Sequence, residues 1–203
     1  MSNKSLLEQC LLAKESLLDH EVISFPTETV MGLGVYYDDE IAYHRLNEIK
    51  RRPEDKPYTL MLAKKEDIGF FGVINERIKR IIDKFMPGPL TILISPKNDI
   101  PSYVTHNGST LGVRIPTNKE ALTLLEIVGK PLLVPSANRS GEKPALSSDE
   151  VKEIFKDEIK IVIDGKCISG KPSTIVDLTQ DEPILIREGS ITFKEIMNVW
   201  HND

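Results

Sequence analysis

The sequence predicts an α/β fold in which a twisted, open sheet of mixed parallel and antiparallel strands is flanked by helices. Short apolar runs of strand length alternate along the chain with longer segments whose apolar residues recur at helical spacing. Several strands follow one another through short links, which antiparallel neighbours allow and parallel neighbours do not. The sequence contains no internal repeat or low-complexity tract, so we expect a single domain over residues 1–203.

The elements follow from periodicity and from residues that stop or cap helices. The second helix is closed by Pro53, Asn75 can cap the third, and Ser147 with Glu150 forms a plausible capping box for a later one. The predicted helices are 6–18, 41–49, 76–85, 119–128, 149–155 and 191–200. The predicted strands are 22–25, 58–63, 90–95, 110–116, 131–138, 159–165, 173–179 and 183–189.

Composition excludes several classes of protein. A formal net charge of −5 and 6% aromatic residues argue against a protein that binds nucleic acid through a broad basic field or stacking platforms. Cys10 and Cys167 form no C-x-x-C pair, so a disulfide framework or thiolate metal site is not expected. The N-terminus does not resemble a signal peptide, and no apolar run reaches ~18 residues. We therefore expect a cytoplasmic protein without a membrane span.

Three familiar catalytic patterns are absent from the sequence. Residues 165–171, GKCISGK, fit G-x-x-x-x-G-K, but Pro172 stands where Ser or Thr should bind magnesium, and a strand follows instead of a helix. We interpret this segment as a turn between strands. The four histidines are not at metal-ligand spacing, and no G-x-S-x-G surrounds Ser136 or any other serine.

Four strand-to-loop segments concentrate polar residues. The segments are PTET (26–29), PSANRSGEKP (135–144), TLGVR (110–114) and PILIREG (183–189). Polar turns explain the first two, but ligands of α/β sheets gather where strands end, so two such exits favour a site. Arg114 and Arg187 lie among apolar strand residues, where a charge needs either an acidic partner or an anionic ligand.

The stretch 47–57, NEIKRRPEDKP, is basic within an acidic chain. Its cations are Lys50, Arg51, Arg52 and Lys56. The helix dipole favours cations in a last turn by up to ~1 kcal/mol, which accounts for one or two of them. Lys56 lies beyond the proline stop. An anion site and an ordinary helix end therefore remain equally supported by the residues alone.

Taken in order, the motifs of this chain resemble the YrdC/TsaC family of threonylcarbamoyl-AMP synthases, in its short single-domain form. The matching segments are FPTETVMGLG (25–34), IKRRPEDKP (49–57), PGPLTILI (87–94), TLGVRIP (110–116), PSANRSGEKP (135–144), PSTIVDLT (172–179) and PILIREG (183–189). The resemblance implies a YrdC-like open mixed sheet around a large cationic cavity. It also implies a reaction that joins L-threonine, bicarbonate or CO2, and ATP, releasing pyrophosphate, for threonylcarbamoyladenosine modification of tRNA.

The resemblance implies roles for individual residues. The family's K-x-R and S-x-N signature falls on Lys50, Arg52, Ser136 and Asn138, with Lys50 and Arg52 as the catalytic residues. ATP contacts fall on Arg52, Lys56, Thr110, Asn138, Ser147 and Arg187. L-threonine contacts fall on Thr29, Met61, Arg114, Ser136 and Ser173.

Cofactors and partners follow from the same resemblance. We expect Mg²⁺ to arrive with ATP without a dedicated protein-bound metal, the product to pass to other tRNA-modification enzymes, and direct nucleic-acid binding to be weak or absent. The chain departs from the family at Met31, where Tyr is usual, and at Met61, where His is frequent. The alternative is an RNA-binding YrdC-like module, or a paralogue without this synthase activity.

Overall fold

The computed structural model describes residues 4–51, 57–97 and 100–202, and it confirms the α/β class. The helices are α1 (Leu6–Leu18), α2 (Glu40–Lys50), α3 (Ile68–Phe71), α4 (Glu76–Phe85), α5 (Ser102–Thr105), α6 (Lys119–Val128), α7 (Ser148–Phe155) and α8 (Phe193–His201). The strands are β1 (Ile23–Phe25), β2 (Gly32–Tyr36), β3 (Thr59–Met61), β4 (Leu90–Ile94), β5 (Leu111–Arg114), β6 (Leu132–Leu133), β7 (Ile161–Val162), β8 (Thr174–Asp177) and β9 (Ile184–Arg187).

These strands form one mixed sheet in the order β7-β1-β2-β6-β3-β5-β4-β8-β9. The β1–β7, β3–β5 and β4–β8 pairs are parallel, and the remaining neighbours are antiparallel. Most neighbours in the sheet are distant in sequence, so the strands bring widely separated loops together.

Side-chain caps begin the helices largely as the sequence predicts. Asn75 accepts a hydrogen bond from the Ile78 N–H at 2.9 Å and starts α4. Ser147 caps α7, but the predicted capping box is wrong. The Glu150 carboxylate accepts from the N–H of Leu146 at 2.8 Å instead of turning back to Ser147, so only one half of the reciprocal pair forms.

Strand β2 was not predicted, and its glycines explain why. A Cβ on Gly32 would lie 2.8 Å from the Val134 side chain, and one on Gly34 would lie 2.9 Å from Phe25. Glycine is therefore required for neighbouring groups to pack closely, and it removes the alternation of side chains that identifies a strand in a sequence.

The core consists of two clusters on opposite faces of the sheet. Adjacent residues of β6 show the division, because Leu133 belongs to one cluster and Leu132 to the other. Helices α2, α4, α7 and α8 supply the first cluster, while α1 and α6 supply the second. No described residue of β4, β5, β8 or β9 belongs to the second cluster, so that face of these four strands is left for other contacts.

The segment 165–171 lies between β7 and β8, and the strand β8 follows it, as expected for a turn and not for a phosphate-binding loop. None of the helices in the described part of the chain has the length and apolar character needed to cross a membrane. Across residues 4–51, 57–97 and 100–202, no group of three or more His, Cys, Asp and Glu side chains is placed to hold a metal ion.

Candidate active site

A cavity of about 320 Å³ opens on the face of the sheet that the second core cluster leaves uncovered. It gathers residues from the loops 26–29 and 135–144 and from the five strands β3, β4, β5, β8 and β9. All five predicted L-threonine contacts line it, together with two of the predicted ATP contacts. These lining residues are Thr29, Met61, Arg114, Ser136, Ser173, Asn138 and Arg187.

Strand register explains why residues so far apart in sequence meet here. Met61 pairs with Arg114 across β3 and β5, and Ile175 on β8 pairs with Thr91 on one side and Arg187 on the other. All five line the cavity, so its floor is a row of side chains running across neighbouring strands. Strands lie about 4.8 Å apart, so a row across five strands extends about 19 Å, enough for an elongated ligand.

Arg114 is buried and held by protein groups on two of its nitrogens. Its Nη2 donates to Glu28 Oε1 at 2.6 Å and to Thr29 Oγ1 at 3.0 Å, and its Nε donates to the Gly88 carbonyl oxygen at 3.3 Å. Glu28 is thus the acidic partner that a charge inside a strand requires. Within the described residues Nη1 has no hydrogen-bond acceptor, which leaves this nitrogen for a ligand in the cavity.

The hydroxyl of Thr29 has a defined direction. Thr27 Oγ1 lies 2.7 Å from the Val30 carbonyl oxygen, which can only accept, so the Thr27 proton points there. The 2.8 Å contact between the Thr27 and Thr29 hydroxyls then requires Thr29 to donate. Since Thr29 Oγ1 also accepts from Arg114, it has no proton left and can only accept a hydrogen bond from a ligand.

Arg187 is bound by neutral groups. Its Nε and Nη2 donate to the Ser173 carbonyl oxygen at 3.1 and 2.9 Å, and Nη2 reaches the Ser173 hydroxyl at 3.3 Å. No carboxylate of the described residues lies within 4.0 Å of it, so the expected alternative of a salt bridge is not found there. Partial burial, followed by the positive charge of Arg114, lowers the pKa of the Arg187 guanidinium below its usual value.

The S-x-N residues mainly build their own loop. Ser136 Oγ donates to Asn138 Oδ1 at 2.6 Å, and Asn138 Nδ2 donates to the carbonyl oxygens of Arg139 at 2.7 Å and Glu142 at 3.1 Å. Both protons of the Asn138 amide are thereby used. The side chains therefore fix the curvature of the 135–144 loop at the cavity wall.

Lys50, the last residue of α2, supports the same loop through hydrogen bonds to its backbone. Its side chain is almost fully buried, and Nζ donates to the carbonyl oxygens of Ser136 at 2.6 Å and Asn138 at 2.8 Å. Lys50 is not among the residues that line the cavity. These two hydrogen bonds hold the 135–144 loop against the end of α2. The exposed Arg51 next to Lys50 ends α2 in the left-handed conformation.

The remaining predicted site residues lie elsewhere. Arg52 and Lys56 fall outside the described residues. Thr110 precedes the opposite end of β5 from Arg114, and Ser147 caps α7; neither lines the cavity. Their roles, like those of Lys50 and Arg52 in catalysis and the cationic character of the cavity, stay predictions.

Sequence patterns overlooked several lining residues. Thr59 and Thr91 lie in apolar strand segments and line the cavity, and Glu142 lines it from the 135–144 loop. Thr91 Oγ1 lies 2.9 Å from Ser173 Oγ. Position could have identified Thr91, because its neighbour Ile92 belongs to the first core cluster and alternation turns Thr91 to the opposite face.

Of the two departures from the family, Met61 lines the cavity, but Met31 lies in the first core cluster.

Comparisons with known proteins relate this chain to a family. The family model Sua5_yciO_yrdC, described as "Telomere recombination", matches residues 15–189. The threonylcarbamoyl-AMP synthase of Pyrococcus abyssi is 36% identical over 190 residues, covering 93% of this chain and 56% of the relative. The chain thus spans little more than half of that relative's length.

Solved structures give the same relationship. The crystal structure of P. abyssi Sua5 complexed with L-threonine superposes with a TM-score of 0.91 at 34% identity, covering 98% of this chain and 58% of that one. The crystal structure of Escherichia coli YciO superposes with a TM-score of 0.87 at 26% identity, covering 96% and 95%. On its sequence match and its fold, the chain belongs to the Sua5/YciO/YrdC family.

Proposed function

We propose that this protein is a threonylcarbamoyl-AMP synthase, which forms L-threonylcarbamoyladenylate and pyrophosphate from L-threonine, bicarbonate or CO2, and ATP. The observation that carries the proposal is the convergence of Thr29, Met61, Arg114, Ser136 and Ser173 in one cavity with Asn138 and Arg187. A P. abyssi relative carries the name of this activity, and the P. abyssi Sua5 structure is a complex with L-threonine. The product would enter threonylcarbamoyladenosine modification of tRNA.

The amino-acid end of the cavity fits a small zwitterion with a hydroxyl group. Arg114 Nη1 would donate to the threonine carboxylate. Thr29 Oγ1, which can only accept, would accept a hydrogen bond from the substrate's amino or hydroxyl group. Met61 would contact the methyl group with its thioether. Donor and acceptor thus lie side by side, which matches an amino acid better than a phosphate.

The end of the cavity near Arg187 suits the nucleotide. Carboxylation makes the threonine amine a carbamate, whose oxygen attacks the α-phosphorus while the bond to pyrophosphate breaks. Both partners are anions, so a fixed cation lowers their repulsion and stabilises charge on the departing pyrophosphate. Arg187 would serve here, because no described carboxylate neutralises it. With the reactants held in line, positioning and electrostatics supply the catalysis.

Magnesium would enter as part of the ATP substrate. The donor set suits this, because Glu142 is the only carboxylate among the described lining residues, and Mg²⁺ usually binds through one or two carboxylates together with substrate phosphates and waters. Bound to the phosphates, the ion would neutralise part of their charge.

The test is pyrophosphate release by the purified chain. We expect release that requires ATP, L-threonine and bicarbonate together, and a product with the mass of threonylcarbamoyl-AMP. Release that does not depend on both L-threonine and bicarbonate would refute the proposal. A salt-dependent affinity for RNA without turnover would instead identify an RNA-binding module.

A further inference from the structure

We propose that Glu28 is a positioning residue for the recognition of the substrate carboxylate, acting through Arg114. This inference rests on the proposed function, because it concerns the amino-acid end of the same cavity. Glu28 does not line the cavity, and its side chain is 13% exposed. It therefore has no direct contact with a ligand in the cavity, and it can act either through the groups that it holds or through its charge.

Each oxygen of the Glu28 carboxylate has its own partner. Oε1 accepts from Arg114 Nη2 at 2.6 Å, and Oε2 accepts from the backbone N–H of Thr117 at 3.2 Å. The carboxylate thus ties the loop after β1 to the segment after β5. The hydrogen bond to the guanidinium is charge-assisted and short, which makes it the strongest contact that holds this arginine.

The hydrogen bonds of Arg114 to protein groups decide which edge of its guanidinium a ligand can contact. With Nη2 held by Glu28 and Thr29, and Nε by Gly88, the planar guanidinium has one orientation, and its Nη1 edge is left for the cavity. An unheld arginine side chain would lose rotamer entropy on binding the substrate. Glu28 therefore prepares the site by removing that freedom from Arg114 before the substrate arrives.

Charge and position predict opposite effects when Glu28 is changed. Glu28 offsets the charge of Arg114, so a purely electrostatic role means that its removal strengthens the attraction for a carboxylate. A positioning role means that its removal weakens binding, because Arg114 can then turn away from the cavity. The sign of the change in affinity thus distinguishes the two roles.

The central variant is Glu28→Gln. Glutamine keeps the shape but has a single acceptor oxygen, so either Arg114 or Thr117 loses its partner. We expect the KM for L-threonine to rise about tenfold, the loss of one hydrogen bond to a charged group, while the KM for ATP and kcat change less than about twofold. Glu28→Asp keeps the charge and shortens the reach, and we expect a similar rise.

A matched control is Glu21→Gln. Glu21 Oε2 lies 2.6 Å from Arg45, and its side chain is 15% exposed, so this pair resembles the Glu28 pair in length and carboxylate burial but lies outside the cavity lining. We expect this variant to leave both KM values unchanged. An equal rise in the KM for L-threonine would mean that losing any half-buried ion pair loosens the site, which would overturn the positioning role.

Calorimetric binding of L-threonine and L-threoninamide supplies a readout that a merely structural role would not change. The wild-type protein should prefer the carboxylate, and that preference should shrink about tenfold in Glu28→Gln, since one charge-assisted contact is lost. Unchanged preference or tighter threonine binding contradicts the inference. If the wild-type protein binds threonine but releases no pyrophosphate, the proposed synthase is refuted. The ratio of the affinities for L-threonine and L-threoninamide then still decides the role of Glu28. Absence of threonine binding overturns both.

Discussion

Arg114 and Arg187 differ in how the protein compensates their charge, although both lie on strands and both line one cavity. Arg114 is buried against a carboxylate, and three protein groups fix its orientation. Arg187 is held by Ser173 alone among the described residues, through neutral oxygens. Arg114 therefore contributes direction, and Arg187 contributes net charge. Replacing the two arginines should have different consequences for the same substrates.

Arg114→Lys should have the largest effect. Lysine keeps the charge but has no planar fork, so it cannot satisfy Glu28, Thr29 and the Gly88 carbonyl while also contacting a ligand. We expect kcat/KM for L-threonine to fall about 100-fold, equivalent to about 2.7 kcal/mol.

The same change at Arg187 is the control for that experiment. If Arg187 acts through its charge, Arg187→Lys should raise the KM for ATP less than about tenfold, the scale of one hydrogen bond to a charged group, and leave the KM for L-threonine nearly unchanged. Losses of equal size in the two variants would show that the distinction between direction and charge is wrong.

Two glycines, one near Arg114 and one near Arg187, offer a second test with a smaller expected effect. A Cβ on Gly88 would lie 2.2 Å from the Phe85 carbonyl oxygen, and one on Gly189 would lie 2.2 Å from that of Pro172. Either alanine forces the backbone to move, and overpacking of this kind costs about 1–3 kcal/mol of unfolding free energy. Urea unfolding should detect it, with Gly69→Ala as the control without a clash, because no atom outside its chain neighbours and its own helix backbone lies within 4 Å of a Cβ there.

The two alanine substitutions should raise the KM of different substrates, L-threonine near Arg114 and ATP near Arg187. Gly88→Ala moves the carbonyl that accepts from Arg114 Nε, so the KM for L-threonine should rise more than that for ATP. Gly189→Ala moves the backbone beside Ser173, to which Arg187 is bound, so it should affect ATP more than Gly88→Ala does. The reverse pattern would argue against separate ends of the cavity.

Ionic strength should have the smallest effect. A charge near solvent is screened over about 8 Å at physiological ionic strength, whereas a buried pair is screened much less. Raising salt from about 50 to 300 mM should increase the KM for ATP about threefold and leave that for L-threonine nearly constant. Equal dependence for both substrates would indicate that Arg114 also acts as an uncompensated charge.

The sequence predicts the fold better than it predicts the roles of side chains. Periodicity and caps located most helices and strands, and β2 was missed because its glycines leave no alternating pattern. Arg114 was visible because a charge interrupts an apolar strand. Its partner Glu28 lies 86 residues away, and no local pattern reports such a pairing.

Lys50 has contacts that no local pattern reports, while its catalytic role stays a prediction. Its position beside a proline stop suggested a cation facing an anion, and the motif resemblance implied catalysis. In the structure two of its donors reach carbonyl oxygens 86 and 88 residues further along the chain. Local sequence specifies that a cation is present, but tertiary packing decides what it contacts. The five residues expected to contact threonine line one cavity, because whole motifs, and not single residues, determine which loops meet.

The sheet order has a consequence for how this chain matures during synthesis. Strand β1 pairs with β7, which begins about 140 residues later in the chain. The row of side chains on the cavity floor is incomplete until Arg187 has been synthesised. At 5–20 residues per second, β1 waits roughly 7–28 s for that neighbour after leaving the ribosome. During this interval its backbone can pair with other nascent chains, so slower translation should increase the need for chaperones.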